Sequence, residues 1–527
     1  MNRWLVASTA ATLFASSCAA PSVAKRAEEP ETKQVTIVYV ADLHAQLEPH
    51  LERFWHDGEE RVEMAGGFAR VATAIDRIRA ERNGEVLVLD AGDTFQGSAA
   101  AAMTKGEAVV GPLDAIGFDA AVPGNWEVAY GPEVMARRTG ETKHPWIAAN
   151  VRDQETGERI FDPYHVQEVG GVRIGVVGYT DPDVPKRQPP AYSTGLAYDG
   201  AAELPELVQQ VRQKEGAEVV LLATHLGLSK AVALAERVPG VDVHLSGDTH
   251  ERTYEPIEKN GTWIVEPGAF GSFLGRLDLF VRDGVVVDKR WELIELTASN
   301  FPEKPEVKAL VDATLEPLRA KLDQPIGTIG AQLERYDVVE TTLDNFLSDA
   351  VRAGTGAEIG LSNGFRFGAP LPAGAVREKH LWDFYPIVTN LKVGKVTGRQ
   401  LRAFWEQELE NVFSPNPEKR FGGWLPRPSG MTVRFRAAAP KGERVQAIEV
   451  NGEPLDPDRL YTVAACEREG DTPDMLCRMP GAQETKVLSI DAHEAVRRYL
   501  AANPGIAVAR EGRVVGTDLP PVLRTQN

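Results

Sequence analysis

The chain has 527 residues, 43% of them hydrophobic, three cysteines and a formal charge of −18. That length can bury more than one core, so two large domains are expected, and no internal stretch is long and apolar enough to span a bilayer. The acidic surplus argues against a nucleic-acid binder, and an anionic substrate would need local metals or arginines to overcome the field.

In chain order, MNRWLVASTAATLFASSC has a basic residue, Arg3, ahead of a short apolar run, the pattern of an export signal. Ala15, Ser16 and Ser17 directly before Cys18 resemble a bacterial lipoprotein processing box. Cys18 would then be lipidated and attach the mature protein to a membrane; plain secretion with cleavage near Ala24 is the alternative. Residues 1–31 are therefore assigned to signal and tether. The expected location is the cell envelope, as a periplasmic lipoprotein or a soluble periplasmic protein.

Within residues 32–298, QVTIVYVAD, EVLVLDAGD, IGFDAAVPGN, VRIGVVGYT, EVVLLATHLG and VDVHLSGDTH read as short buried strands bounded by Gly, Asp and Asn. GGFARVATAIDRIRAER, LPELVQQVRQKEGA and SKAVALAERVP carry helical patterns between them, which predicts an α/β layered domain. TWIVEPGAFGSFLGRLDLFVRDGVVVDKRWELIEL then reads as antiparallel strands turning at Asp283-Gly284, at one edge of a sandwich. LTASNFPEKP breaks the pattern, and EVKALVDATLEPLRAKLDQP supplies a helix to the linker, residues 299–325. A second α/β domain covers residues 326–517, with helices in TTLDNFLSDAVRAGTG and TGRQLRAFWEQELENVF and strands in MTVRFRAAAP and RVQAIEVNGEPL; residues 518–527 read as a tail. The spacing of Cys466 and Cys477 allows a local disulfide without showing that one forms.

Seven polar side chains lie at intervals that could build one two-metal site: Asp42 and His44 in ADLHAQL, Asp93 in LDAGD, Asn125 in PGNWE, His225 in ATHLG, and Asp248 and His250 in SGDTH. All but Asn125 end, or closely follow, a strand-like run, and open α/β sheets place their chemistry at that edge. Asp42 and His44 are one residue apart, so on a strand they would share a face. Asp93, presented by a turn at Gly92, could bridge two ions with one oxygen for each, at the usual separation of about 3.5–4 Å. Asn125 is a neutral oxygen ligand in a tight turn, and Glu127, after Trp126, reads as a surface or capping acid before a chemical group.

These blocks, in this order, resemble the calcineurin-like metallophosphoesterases and, over nearly all the mature chain, the bacterial periplasmic 5'-nucleotidase family. The resemblance implies a four-layer α/β sandwich followed by a second α/β domain of the 5'-nucleotidase C-terminal type. It also implies a phosphoesterase that uses two divalent ions, Mn²⁺, Zn²⁺ or a mixed pair, to activate water. It assigns Asp42, His44, Asp93 and His250 to one ion, and Asp93, Asn125, His225 and Asp248 to the other. Two positions depart from the pattern. Asp248 stands where the family has a histidine, which favours harder ions such as manganese. Trp126 stands at the histidine of GNHE, and an indole cannot exchange a proton near neutral pH. Asp93, Asn125 and the substituted Trp126 thus mark the catalytic centre.

Trp126 has a second explanation. The HAQL, WE and YG elements, and LSNGFRFG and NVFSPNPEKRFGGWLPRPSGM in the second domain, resemble the sulfate thiohydrolases of bacterial sulfur oxidation. Those relatives act on sulfur carried by a cysteine of a carrier protein, which would make such a protein the partner in place of an anionic small molecule. On the substrate side, Asn363, Arg366 and Arg427 are candidate anion-binding groups, because a guanidinium fork suits phosphate or sulfate oxygens. Phe365, Phe367, Phe413 and Trp424 are candidates for a stacking wall. A third reading is a weakened, lipid-anchored binding protein whose substitutions have silenced hydrolysis.

Overall fold

The computed structural model describes residues 31–56, 59–362, 366, 368–420 and 423–520. Cys18 and Asn363, as well as Phe365 and Phe367, lie outside the described residues.

The first half of the chain folds as two sheets pressed face to face. In the first, Lys33–Val40 lies parallel to Val86–Asp90, which lies parallel to the two-residue strand Ala120–Ala121. On its other side Phe273–Arg282 pairs antiparallel and continues into Val285–Glu295 through Asp283 and Gly284, both at positive φ as a tight hairpin turn requires. The second sheet runs in the order Ile257–Lys259, Thr262–Val265, Val243–Gly247, Val219–His225, Val172–Thr180, Tyr164–Val169.

Alternation along the strands decides which layer each residue enters. Val35, Ile37 and Tyr39 face the second sheet and pack with Ile174, Val176, Leu221 and Leu245. Val38 and Val40 face outward, under Ala72 and Ile75 of the helix Phe68–Glu81 and Leu113 of Glu107–Ile116. Val177, Val220 and Leu222 take the same place on the second sheet, under Leu207, Val208 and Val211 of Leu204–Gln213. Four layers result, as the resemblance implied, and each fully buried aliphatic contributes about 1.5–3 kcal/mol.

The helix Pro305–Leu322 leads to the second α/β unit. Its five-stranded sheet has the order Arg427–Ser429, Ile359–Ser362, Leu460–Cys466, Asn390–Thr397, Gln483–Asp491, beside a smaller sheet in which Met431–Phe435 and Val445–Val450 form a hairpin. The helices Thr342–Thr355 and Gly398–Phe413 are both N-capped by a threonine hydroxyl, Thr341 and Thr397. Asp518 accepts the backbone N–H groups of Ala437 and Ala438, so the start of the expected tail is tied down.

Polar contacts join the two halves around a cleft. Gln96 donates to the Pro386 carbonyl at 3.0 Å, Arg53 pairs with Glu334 at 2.6 Å, and Arg468 donates to the Gln188 carbonyl at 2.9 Å. Cys466 and Cys477 are free and buried, and burial pushes their thiols up to about 12 and about 11. Among the described residues no helix is long and apolar enough to cross a membrane.

Candidate active site

The parallel strands of both sheets end at one rim, and the site stands on the turns that follow. Lys33–Val40 stops short of Asp42 and His44, so the expectation that these two alternate on a strand is corrected: both lie in the following turn. Their φ values are 54° and 46°, and Asp93, Asp248 and His250 are also left-handed, at 59°, 98° and 60°. Non-glycine residues rarely adopt that region, and such strain concentrates at functional sites. The turns are also tight. A Cβ on Gly92 would stand 2.6 Å from Gly124 N, and one on Gly124 would stand 2.2 Å from Asp93 Oδ1.

The side chains converge. Donor atoms of Asp42, His44 and His250 lie within 4.8 Å of one another, and so do those of Asp42, Asp93 and His225. Asp42 Oδ1 is 3.9 Å from His44 Nε2, 3.4 Å from His250 Nε2 and 3.8 Å from His225 Nε2. Asp93 Oδ2 is 3.8 Å from His44 Nε2 and 3.1 Å from His225 Nε2. The sequence reading gave each Asp93 oxygen to one ion. In the structure Oδ1 accepts the Trp126 backbone N–H at 2.8 Å, and Oδ2 alone faces both histidines.

The tautomers test whether cations fit. His44 Nδ1 is 3.0 Å from the Gln96 carbonyl and His225 Nδ1 is 2.7 Å from the Ala91 carbonyl. A carbonyl only accepts, so both Nδ1 atoms carry the proton and both Nε2 lone pairs face inward. His44 Nε2 meets His250 Nε2 at 3.1 Å, and His225 Nε2 meets the Asp93 carboxylate. Each pair needs a proton or a cation between its lone pairs. Asn125 Oδ1, buried with no hydrogen-bond partner among the described residues, adds a bare acceptor. The donor set therefore fits divalent ions: Asp42, His44 and His250 would hold one, and Asp93, Asn125 and His225 another.

The electrostatics agree. Burial pushes His44 down to about 4 and His250 to about 3, which keeps both imidazoles neutral and able to ligate. Burial also works to lower His225, yet the Asp93 carboxylate overrides it and holds the group well above its ordinary value. Positive charge is favoured at that point, and without a metal a proton supplies it. Asp42 is raised to about 6 by burial, against the pull of His225.

Glu127, expected as a surface or capping acid, is a buried clamp. Its carboxylate accepts the backbone N–H groups of Asp93 at 3.0 Å, Thr94 at 2.6 Å, Phe95 at 3.3 Å and Gly124 at 2.5 Å, so it fastens the Asp93 turn to the Asn125 turn. Glu127→Gln replaces one acceptor oxygen with a donor facing those N–H groups. A loss of about 10–100-fold in metal affinity is expected, measured by titrating Mn²⁺ into variant and wild type.

The remaining expected residues divide. Trp126 packs on Ala269 and Phe270 at the wall of the cleft. Arg366 reaches across from the second half to the Asp248 carbonyl and lies 3.3 Å from Asp248 Oδ1. Asp248 itself is gripped by Arg187, which sequence reasoning passed over. Arg427 is a correction. It is fully buried, donates to the Val339 and Asp337 carbonyls and lies 3.4 Å from Asp344, so it braces the second unit and is not among the residues lining the cleft. Phe413 stacks on Phe435 in that core, whereas Trp424 does line the cleft. Arg187, Arg366, Arg468 and Arg478 line the cleft together with Asp93, Asp248, Glu408 and Glu467, so local guanidinium groups offset the acids there.

Residues 35–252 match the calcineurin-like phosphoesterase family, and residues 320–467 match the family of 5'-nucleotidase C-terminal domains. Protein UshA of Yersinia enterocolitica is 25% identical over 518 residues, covering 88% of this chain and 90% of that protein. A 5'-nucleotidase of Vibrio cholerae is 28% identical over 321 residues, 55% of this chain and 56% of its own. Among solved structures, the sulfate thiohydrolase SoxB of Thermus thermophilus superposes with a TM-score of 0.84 at 28% identity, covering 93% of this chain and 98% of its own. A 5'-nucleotidase precursor, also from Thermus thermophilus, gives a TM-score of 0.80 at 25% identity, covering 92% of this chain and 100% of its own.

Fold, donor set and relatives together define a metal-dependent phosphoric ester hydrolase. Within that class, the chain joins a domain that matches the calcineurin-like phosphoesterase family to one that matches the 5'-nucleotidase C-terminal family.

Proposed function

We propose that the chain is an exported hydrolase of nucleotide-type phosphate monoesters, working with Mn²⁺ or a mixed Mn²⁺/Zn²⁺ pair. One observation carries this reading: the buried carboxylates and imidazoles of one half face the guanidinium of Arg366 from the other across a single cleft. Bound metal ions would lower the pKa of a water and offset the negative charge on the phosphoryl oxygens. The protein's own groups do the rest. Arg187 and Arg366 hold the anionic group of the substrate by its oxygens. His44 and His225, fixed by the Gln96 and Ala91 carbonyls, keep their Nε2 atoms turned to the reacting end. Trp126 gives no general acid, so the leaving group departs without a proton from that position.

Export and lipidation at Cys18 rest on the opening sequence, and the nucleotide class rests on the UshA and 5'-nucleotidase relatives. The test is a screen of the purified mature protein against nucleotides, simple phosphate esters, phosphodiesters and a cysteine S-thiosulfonate mimic. Phosphate release from nucleotides supports the reading; turnover confined to the thiosulfonate overturns it. The second reading, a sulfate thiohydrolase acting on a carrier-bound cysteine, is favoured by Trp126 and by the likeness to the Thermus enzyme.

Stripping the protein with a chelator should abolish hydrolysis, and Mn²⁺ should restore it. Because the ions bind only the folded site, saturating metal at a thousandfold excess over Kd should add about 4 kcal/mol of stability. Calorimetry with and without Mn²⁺ measures this as a higher Tm.

A further inference from the structure

Asp248 is held on several sides, and the way it is held separates it from the other six candidate ligands. Arg187 Nη2 donates to Oδ1 at 2.6 Å and Nη1 to Oδ2 at 3.0 Å, a two-point fork that engages both carboxylate oxygens. The same guanidinium reaches Asp181 Oδ2 at 2.6 Å, and Lys230 lies 3.2 Å from both Asp181 oxygens. Arg366 adds its contacts to the Asp248 carbonyl and Oδ1. Arg187 stands at the end of the short helix Val184–Arg187, has 9% of its side chain exposed and lines the cleft beside Asp93 and Asn125.

We propose that Asp248 serves as the anchor of an arginine pair and not as a metal ligand. The protein then holds one divalent ion tightly, at Asp42, His44 and His250, and a second only weakly, with the Arg187 guanidinium supplying fixed positive charge on that side. A metal ion and the Arg187 guanidinium would compete for the same carboxylate. A carboxylate inside a guanidinium fork has its lone pairs directed at N–H groups, and a second ion would have to displace them and stand beside a full positive charge. Asp42 is placed differently: it accepts the Asp248 backbone N–H at 3.0 Å and turns Oδ1 toward three imidazoles. An imidazole could not accept such a fork, so an aspartate at position 248 and an arginine at position 187 make one device. The device also fixes Arg187 toward the substrate anion, where a guanidinium binds two oxygens at once. This inference rests on the metal-dependent class and not on which ester is cleaved.

The test is a titration of the metal-free full chain with Mn²⁺, followed by electron paramagnetic resonance and by metal analysis, neither of which needs a substrate. The first equivalent should give an isolated Mn²⁺ signal, and the second should bind at least about tenfold more weakly. Arg187→Met should tighten the second Kd by about the same factor and produce a spin-coupled pair at two equivalents. Two equally tight ions in the wild type, or a second Kd unmoved by Arg187→Met, would overturn the proposal. Asp248→Asn guards against a folding defect in that variant. It should keep the tight ion with its affinity unchanged, whereas loss of one tightly bound equivalent would show that Asp248 ligates.

Discussion

Asp93→Asn should abolish hydrolysis while leaving the fold intact. Oδ2 of Asp93 lies 3.8 Å from His44 Nε2 and 3.1 Å from His225 Nε2, so besides holding the ion beside His225 it would face the neighbouring cation position. Its charge would offset that of bound cations, and a neutral amide would remove that compensation. The fold should tolerate the change because an amide oxygen can still accept the Trp126 N–H that Oδ1 accepts now. Burial resists ionisation of Asp93, but His225 overrides it and holds the group below the usual carboxylate range, so the charge being removed is present at neutral pH. A loss of about 4 kcal/mol of transition-state stabilisation corresponds to a fall of about 10³-fold in kcat. Steady-state turnover with circular dichroism on the same sample measures both halves of the expectation. Near-wild-type kcat in a folded Asp93→Asn protein would remove Asp93 from the reaction.

Trp126→His should move activity the other way. The indole lines the cleft against Ala269 and Phe270, one residue after Asn125. It cannot deliver a proton to an alkoxide leaving group, and general-acid help is worth about 10²–10⁴-fold. An imidazole at this position should raise kcat on simple phosphate monoesters by a factor in that range, with a bell-shaped pH profile replacing a flatter one. The space left by the smaller ring lies at the cleft wall and should fill with water. If the second reading of the substrate is right, the same variant should gain nothing on the thiosulfonate, because there the leaving sulfur needs no such proton. Unchanged phosphomonoesterase activity would show that the leaving group does not face position 126.

Much of the site could be read in the sequence because its donors sit where aliphatic strands stop. Val86–Asp90 and Val219–His225 are runs of buried, mostly aliphatic residues and Val243–Gly247 is a buried strand, and Gly, Asp and His mark their ends. The turn conformations could not be read: DLH looks like strand alternation, and only the backbone shows both residues at positive φ. Ala120–Ala121 is two residues long, too short for any periodicity to reveal. The hairpin of His50–His56 and Glu59–Ala65 is charged along much of its length, so no alternating pattern marks it. Arg187 comes from 61 residues before Asp248, in a proline-rich loop that reads as exposed; only the folded rim brings the two together. Arg427 failed for the converse reason. A guanidinium suits an anion by residue type alone, yet Arg427–Ser429 is a buried edge strand whose arginine is paired with Asp344 inside the second unit.

The central claim is that cations lie between the facing imidazoles and carboxylates of the first half of the chain. Anomalous diffraction at the manganese edge from crystals grown with Mn²⁺ tests it directly. The strongest peak should lie among Asp42, His44 and His250, with a weaker one at Asp93, Asn125 and His225. A metal-loaded crystal with no peak at either position, or with its ions bound elsewhere, would contradict it.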